Sequence, residues 1–148
     1  MSAIPYWTIR EEIAEIIKAN LSGVIVEIER EIQFAAEGQP FIGIYLESRE
    51  TPEDQQPIAA GRITRMFLNI SIWVFAHAFD IDRGIEERDR IIGEVELILM
   101  GHRFLNQTVD ACWLQGGELL SGRDAETKDF LAGGEIRLRM EVSARIDS

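Results

Sequence analysis

The stretch from Glu135 to Ile146 constrains the fold more than any other part of this chain. Its apolar side chains fall at every second position, with polar or charged side chains between them; the apolar set is Ile136, Leu138, Met140, Val142, Ala144 and Ile146. Alternation of period two indicates a β-strand with one buried face and one face that is wet or paired. A strand usually has about five or six residues. A strand of this length therefore predicts a sheet that does more than cover a small core, and it favours assembly.

Two amphipathic helices are predicted from apolar residues at helical spacing. The first begins at Thr8, where Thr8 and Glu11 form a capping box, and it continues through Ile9, Ile13, Ile16, Ile17 and Leu21 to a stop at Gly23. The second begins at Asp80 or Asp82 and ends at Gly101, with Ile85, Ile91, Ile92, Val95, Ile98 and Leu99 on its apolar stripe. Both helices have one face suited to packing on a sheet.

The remaining periodic segments predict strands, at 24–29, 41–46, 62–78, 109–114, 118–120 and 135–146. Gly116-Gly117 is a predicted turn, Gly133-Gly134 leads into the last strand, and residues 121–130 are a predicted loop. The polar segment from Glu47 to Gly61 is also predicted to be a long loop. The order α-β-β-β-α-β-β-β predicts one α+β domain over residues 1–148, with an antiparallel or mixed sheet and both helices on one face.

Composition narrows the class of protein. The chain has 148 residues and a net charge of −11, which argues against a surface that wraps nucleic acid, because such surfaces need Lys and Arg to meet phosphates. No signal peptide and no segment of about 20 apolar residues is recognisable, so we expect a cytoplasmic product that is not bound to a membrane. Thirteen of the fifteen basic residues are Arg. Such a bias accompanies protein interfaces, and codon usage produces it equally well.

The sequence offers little for catalysis. One cysteine, Cys112, and two histidines, His77 and His102, are too few for a structural zinc site, and no phosphate-binding glycine loop occurs. Cys112 is best read as a small buried residue, and His77 as a strand-end or interface residue. We therefore predict no catalytic residue, no metal and no cofactor, and a protein that is not an enzyme.

Aromatic and arginine side chains mark a candidate contact surface. Trp73 and Phe75 share one strand face with Asn69 and Ser71, and this face either belongs to the core or packs on a neighbouring subunit, where aromatic anchors contribute most of the binding energy. Arg137 and Arg139 lie on the polar face of the last strand. Together these four residues are the predicted subunit interface.

Taken along the chain, these features resemble the tail terminator proteins of long-tailed bacteriophages, also called tail-completion or minor tail proteins. The resemblance lies in the opening helix 8–21 followed at once by the strand 24–28, the Gly-Gln-Pro-Phe-Ile turn at 38–42, the acidic loop, the long strand from Arg65 to His77, the helix entered through Asp82, and the alternating last strand. It covers nearly the whole chain and consists of pattern similarities.

The resemblance implies a virion protein without catalytic activity that is assembled in the host cytoplasm. Such proteins form a hexameric ring on the head-proximal end of the tail tube, stop its polymerisation and join the tail to the neck. The implied partners are further copies of the chain, the tail tube protein, the neck or head-completion protein and, in contractile tails, the sheath protein. DNA passes through the channel without specific binding. The acidic residues Glu47, Glu50, Glu53 and Asp54 would face that channel.

Other classes of protein remain open at this point. Another head–tail joining protein would share the same logic of assembly. A small ligand-binding or enzymatic α+β domain would need a site built from carboxylates and Arg. Size and acidity alone are also compatible with a regulatory dimer such as a toxin–antitoxin component.

Overall fold

The computed structural model describes residues 3–30, 39–53, 63–102, 105–123 and 129–145, including all side chains except those of residues 63, 64 and 145. It contains two helices and six strands in these ranges. In chain order they are α1 (Tyr6–Asn20), β1 (Ile25–Ile28), β2 (Phe41–Glu50), β3 (Ile63–Ala78), α2 (Ile81–Met100), β4 (Ala111–Leu114), β5 (Leu119–Arg123) and β6 (Phe130–Arg145).

The strands form one mixed sheet, which confirms the predicted α+β class. Its order is β1-β2-β3-β6-β4, and β5 also pairs with β6. Every pairing is antiparallel except that of β1 with β2, which is parallel. A parallel pair needs a connection of about a dozen residues, and the chain between Ile28 and Phe41 is long enough to return to the same end of the sheet. The connection from Glu50 to Ile63 is equally long and joins an antiparallel pair, so connection length permits the parallel pairing but does not determine it.

Both helices pack on one face of the sheet, as predicted. Alternate residues of the strands point toward the helices and form one core with them; the strand members include Val26, Ile42, Ile44, Leu68, Ile70, Ile72, Val74, Ile136, Leu138, Met140 and Val142. The helices contribute Ile9, Ile13, Ile16, Ile17, Ile91, Val95 and Leu99 to the same core. Each fully buried aliphatic side chain of this size stabilises the fold by about 1.5–3 kcal/mol relative to its exposed state.

The two helix starts differ from each other. Asp80 caps α2, because its carboxylate accepts hydrogen bonds from the N–H groups of Asp82 (3.0 Å) and Arg83 (3.4 Å). The predicted capping box of α1 is wrong: the helix begins at Tyr6, Pro5 occupies the N-cap, and no side-chain cap bond is present there. The N–H of Ile9 already donates to the Pro5 carbonyl at 3.0 Å. Thr8 therefore lies inside the first turn and not at its start.

The predicted loop from Glu47 onward is wrong for its first four residues. Strand β2 continues to Glu50, with a register shift between Leu46 and Ser48, and Glu50 lies opposite Phe67 of β3. Polar residues suit this part of β2 because all four, from Glu47 to Glu50, are exposed. Their polarity reflects an exposed strand and does not indicate a loop.

The glycine pairs also behave differently from the prediction. Gly133 and Gly134 lie inside β6, which begins at Phe130 and not near residue 135. A side chain at Gly133 would meet Phe75 and Leu120, and one at Gly134 would meet Ile92, so neighbouring side chains already fill the space above both glycines. These glycines therefore belong to the strand itself, whereas the sequence pattern predicts them just before it.

The chain from Ala111 to Arg123 follows the outer edge of β6. Both β4 and β5 are antiparallel to β6, so Gly116-Gly117 does not reverse the chain as predicted. Gln115 N–H donates to the Arg137 carbonyl at 2.9 Å, and Arg137 N–H donates to the Gly116 carbonyl at 2.6 Å. The connection stays attached to β6, and residues 121–123 belong to β5 and not to a loop.

Candidate functional site

The face of the sheet opposite the helices is the candidate site. Side chains there come from the alternate positions of each strand, and no helix in the described ranges lies on them. We call this surface the uncovered face; its main side chains are those of Glu50, Phe67, Asn69, Ser71, Trp73, Phe75, Trp113, Glu135, Arg137, Arg139 and Glu141. The four predicted interface residues all lie on it.

An aromatic patch occupies the part of this face nearest β5. The rings of Trp73 and Phe75 stack with their centroids 5.8 Å apart. Phe75 is 6% exposed, whereas Trp73 is half-buried. Phe75 and Leu120 both lie over Gly133, so the patch reaches the edge of the sheet at β5. Phe75 is therefore the buried ring against which Trp73 packs, and Trp73 is the ring of the patch that another chain can reach.

A buried carboxylate organises the centre of the face. Glu135 accepts a hydrogen bond from the Ser71 hydroxyl at 2.6 Å, and it forms an ion pair with Arg137 Nε at 2.8 Å. The Glu118 N–H donates to the same carboxylate at 3.3 Å, and the Glu118 carboxylate lies 3.5 Å from Arg137 Nη2. Glu135 is thus satisfied on both oxygens, and Arg137 lies between two acids.

A second network surrounds Arg139. Its Nη1 donates to Asn69 Oδ1 at 3.1 Å, its Nη2 lies 3.5 Å from Glu50 Oε2, and its guanidinium lies 4.5 Å from the centroid of Phe67. Asn69 in turn donates to Glu50 Oε1 at 3.0 Å. The Phe67 ring is 6.5 Å from that of Trp113, which is exposed. This arrangement combines a stacked arginine with an accessible tryptophan.

The predicted acidic group does not stay together. Glu50 belongs to the Arg139 network, Glu47 lines a depression on the uncovered face, and Glu53 is exposed in a turn after β2. Asp54 lies outside the described residues. Two groups that the sequence analysis treated separately, the acids after residue 46 and the arginines of the last strand, therefore meet at Glu50 and Arg139.

Sequence reasoning missed Ser71, Glu118 and Glu135 as partners of Arg137. The alternation of the last strand does place Glu135 on the same face as Arg137. Ser71 lies opposite Arg137 in the β3–β6 register. That register, and the path of residues 115–118 along β6, are set by the folded sheet and have no signal in the sequence.

The depression on this face has a volume of about 490 Å³, and Glu47, Trp73, Gln115, Glu135 and Arg137 are among its lining residues.

The cysteine and histidine side chains lie outside this depression. Burial raises the pKa of the Cys112 thiol to about 11, so the thiol is neutral and a poor nucleophile at neutral pH. His77 Nε2 lies 3.5 Å from Asp129 Oδ2. Within the described ranges, no group of three or more His, Cys, Asp or Glu is arranged to hold a metal ion.

Fold and site together define an α+β domain whose sheet is covered by helices on one face and presents aromatic and ion-paired side chains on the other. Comparison with protein-family models and with curated protein sequences found no match for this chain. Neither helix of the described residues has the length and apolar character needed to cross a bilayer.

Proposed function

We propose that this chain is a structural protein of a long-tailed bacteriophage, a tail terminator that assembles as a hexameric ring on the head-proximal end of the tail tube. The ring stops tube polymerisation and joins the tail to the neck. The uncovered face carries this proposal, because a large sheet surface with accessible aromatic and Arg side chains suits contact with other chains. The choice of the tail terminator family rests on the resemblance in sequence pattern described above.

The charges of the uncovered face suit burial in an interface. Removing an unpaired charge from water is costly, whereas a charge that already has its partners loses much less. Arg137 is paired with Glu135 and Glu118, and Arg139 with Glu50. A partner chain of the assembly can therefore lie on this surface with little need to supply counter-charges, since both Arg side chains already have acidic partners. Trp73 and Trp113 are the accessible aromatic anchors.

A ring needs a heterologous contact, in which one patch of a subunit meets a different patch of the next. The other partners in this proposal are the tail tube protein, the neck protein and, in a contractile tail, the sheath protein. DNA passes through the ring without specific binding, in keeping with the net charge of −11.

Mass in solution and negative-stain imaging test the proposal. The purified chain, alone or after addition of tail tubes, should form six-membered rings, and those rings should cap a single end of each tube. Arg139→Glu should reduce the yield of capped tubes at least tenfold, because it places an acid beside Glu50 on the face that meets a partner chain. Arg90→Glu is the matched control, since Arg90 is also ion-paired, to Glu87 and Glu94, but lies on α2.

Persistent monomers or dimers in the presence of tubes would contradict the proposal. Rings that bind a head or neck component and ignore tubes would instead favour another head–tail joining protein. The depression of about 490 Å³ favours a third candidate, a ligand-binding domain, because its volume falls within the range of small-molecule pockets. A monomer whose Trp73 environment changes on addition of a small acid or amine would support that alternative.

A further inference from the structure

Strand β5 forms an edge of the sheet whose first four residues carry no charge. All five of its residues are exposed, including Leu119 and Leu120, which are 61% and 43% exposed. Among the described residues, β5 pairs only with β6. Natural sheets block such edges with charged side chains, Pro or a covering element; β5, Leu-Leu-Ser-Gly-Arg, contains no Pro, and its one charged residue, Arg123, is the last of the strand. The edge is therefore available to an extended segment of another chain.

The backbone of β5 presents a defined set of groups to such a segment. Glu135 N–H donates to the Glu118 carbonyl at 2.7 Å, which fixes the phase of the ladder between β5 and β6. Backbone groups of an antiparallel strand alternate between its two sides. The N–H and C=O groups of Leu119, Ser121 and Arg123 consequently point away from β6, toward the open edge.

Strand β1 forms the opposite edge of the same sheet. Its inner side is fixed by Ile25 N–H, which donates to the Pro40 carbonyl at 2.9 Å, and by Glu29 N–H, which donates to the Ile44 carbonyl at 3.0 Å. By the same alternation, the backbone groups of the intervening residues Val26 and Ile28 point outward. Within the described ranges, no strand pairs with this outer side.

The directions of the two edge strands are complementary. From β1 to β5 the sheet contains one parallel pairing and three antiparallel pairings, so β1 and β5 run in opposite directions. A second copy rotated about an axis along the strands brings its β1 beside β5 as an antiparallel neighbour, with the uncovered faces on the same side.

We infer that β1 of one copy pairs with β5 of the next, so that the sheet continues from subunit to subunit. This inference rests on the proposed ring and identifies the contact that closes it. The contact is heterologous, because it joins two different edges, and its repetition generates a closed ring when the rotation closes. The aromatic patch reaches the same edge through Leu120, which lies with Phe75 over Gly133, so the next copy's β1 lies beside that patch.

The pairing specifies which residues meet. Outward backbone groups on Val26 and Ile28 bond to those on Leu119, Ser121 or Arg123, and this places Glu27 opposite Leu120 or Gly122 on the uncovered face. Pairs of this kind, without backbone bonds between them, bring side chains closest together. Gly122 accepts a side chain, because a Cβ there has nothing within 4 Å.

Disulfide cross-linking tests the pairing. Glu27→Cys and Gly122→Cys would be made in separate chains, both in a Cys112→Ala background, and mixed before oxidation; Leu120→Cys tests the alternative register. Within one chain β1 and β5 are separated by four strand spacings, about 19 Å, and a disulfide needs Cα atoms within about 7 Å. Every Glu27→Cys bond to β5 therefore joins two copies. Mixtures should give covalent dimers, and a chain carrying both cysteines should give a ladder ending at six.

Two controls distinguish this contact from random collision. Ser121→Cys is adjacent to Gly122 but points to the helix-covered face, and its yield with Glu27→Cys should be at least tenfold lower. Either single variant oxidised alone should give no dimer. If rings form but neither Gly122→Cys nor Leu120→Cys cross-links to Glu27→Cys, the edge pairing is wrong and the proposed function still stands. The same conclusion follows if Gly122→Cys gives dimers in the absence of Glu27→Cys. Failure to form any ring would overturn both.

A proline variant gives an independent measurement. Ser121→Pro removes an N–H that points away from β6, so the β5–β6 ladder keeps its bonds and the subunit stays folded. Ring formation should fall at least tenfold, while Ser121→Ala, which keeps the N–H, should form rings as the natural chain does. Circular dichroism and the thermal midpoint establish that both variants fold. Rings formed normally by a folded Ser121→Pro chain would overturn the inference.

Discussion

At the scale of single residues, Glu135 determines how polar the uncovered face can be. A buried carboxylate is costly unless its oxygens are hydrogen-bonded or ion-paired. Ser71, Arg137 and the Glu118 N–H supply these partners. The result is a surface whose buried central carboxylate has its partners within the same chain, which is the property that lets another chain cover it.

Cys112 allows a prediction about pH. Burial raises the pKa of its thiol from 9.0 to about 11, and only the thiolate reacts with iodoacetamide. At pH 8 ionisation alone should make alkylation of the folded chain about a hundredfold slower than that of an unperturbed thiol. The rate should rise tenfold per pH unit toward pH 11, and a plateau near pH 9 would contradict the burial of this side chain.

The same shift has a defined effect on stability. Because the folded thiol keeps its proton to higher pH than the unfolded thiol, its contribution to stability is complete below about pH 9 and is lost as the pH rises from 9 to 11. The alkylation experiment also has a control in the chain unfolded in urea, where the thiol is not buried. Its alkylation rate should level off near pH 9.

Two glycines on the β4–β5 side of β6 give a matched pair of mutations. A Cβ at Gly117 would collide with the backbone carbonyl of Glu135, whereas a Cβ at Gly122 meets nothing within 4 Å. Gly117→Ala should lower the free energy of unfolding by about 1–3 kcal/mol, and Gly122→Ala should leave it unchanged or raise it by up to about 1 kcal/mol. Urea unfolding measures both, and equal effects would contradict the close approach at Gly117.

At the scale of elements, periodicity predicted most of the fold. The stripes at Ile9–Ile17 and Ile91–Leu99 gave both helices, and alternation gave the buried side of β3 and β6. These patterns are visible because burial on one side repeats with the geometry of the element. The class of the fold and the side on which the helices pack follow from them.

Features that depend on partners distant in sequence were not predictable. Glu47 and Glu50 were predicted to lie in a loop, because a polar sequence does not distinguish an exposed strand from a loop. Only the pairing with β3 shows that β2 continues through these residues. Gly133 and Gly134 were placed before the last strand and not inside it, because nothing in the sequence states that Phe75, Leu120 and Ile92 fill the space above them. The contacts of Arg137 and Arg139 depend on cross-strand register in the same way.

The two helix starts allow a direct test of capping. Asp80 accepts N–H hydrogen bonds at the start of α2, so Asp80→Ala should lower the free energy of unfolding by about 1 kcal/mol. Thr8 lies inside α1, where Ala is the better helix former, so Thr8→Ala should be neutral or slightly stabilising. Urea denaturation compares the two. A loss of about 1 kcal/mol from Thr8→Ala would show that Thr8 caps α1 after all.

At the scale of the whole molecule, the placement of charge matters more than its sum. The chain carries a net charge of −11, yet Arg65, Arg137 and Arg139 of the uncovered face each form an ion pair with a Glu. Repulsion of passing DNA therefore depends on acids that lie outside such pairs or next to the proposed channel. The acids predicted from the sequence to face the channel are Glu47, Glu50, Glu53 and Asp54.

Neutralising these four acids tests that placement. Changing Glu47, Glu50 and Glu53 to Gln and Asp54 to Asn removes four negative charges, so the net charge rises from −11 to −7. Assembled rings should then retain duplex DNA more strongly at low ionic strength, where charges are least screened; the yield of rings is measured alongside, because Glu50→Gln also removes the charged partner of Arg139. Filter binding measures retention, and infectivity of particles carrying the variant measures DNA passage.

A control variant separates local charge from net charge. Glu11, Glu15, Glu86 and Glu96 lie on α1 and α2, and changing them to Gln gives the same net charge of −7, again by the loss of four negative charges from −11. If the four predicted acids face the channel, only their neutralisation should raise DNA retention and slow DNA passage. Equal retention by both variants, or normal infectivity of the first, would mean that net charge alone keeps DNA from binding and that these acids have no special position.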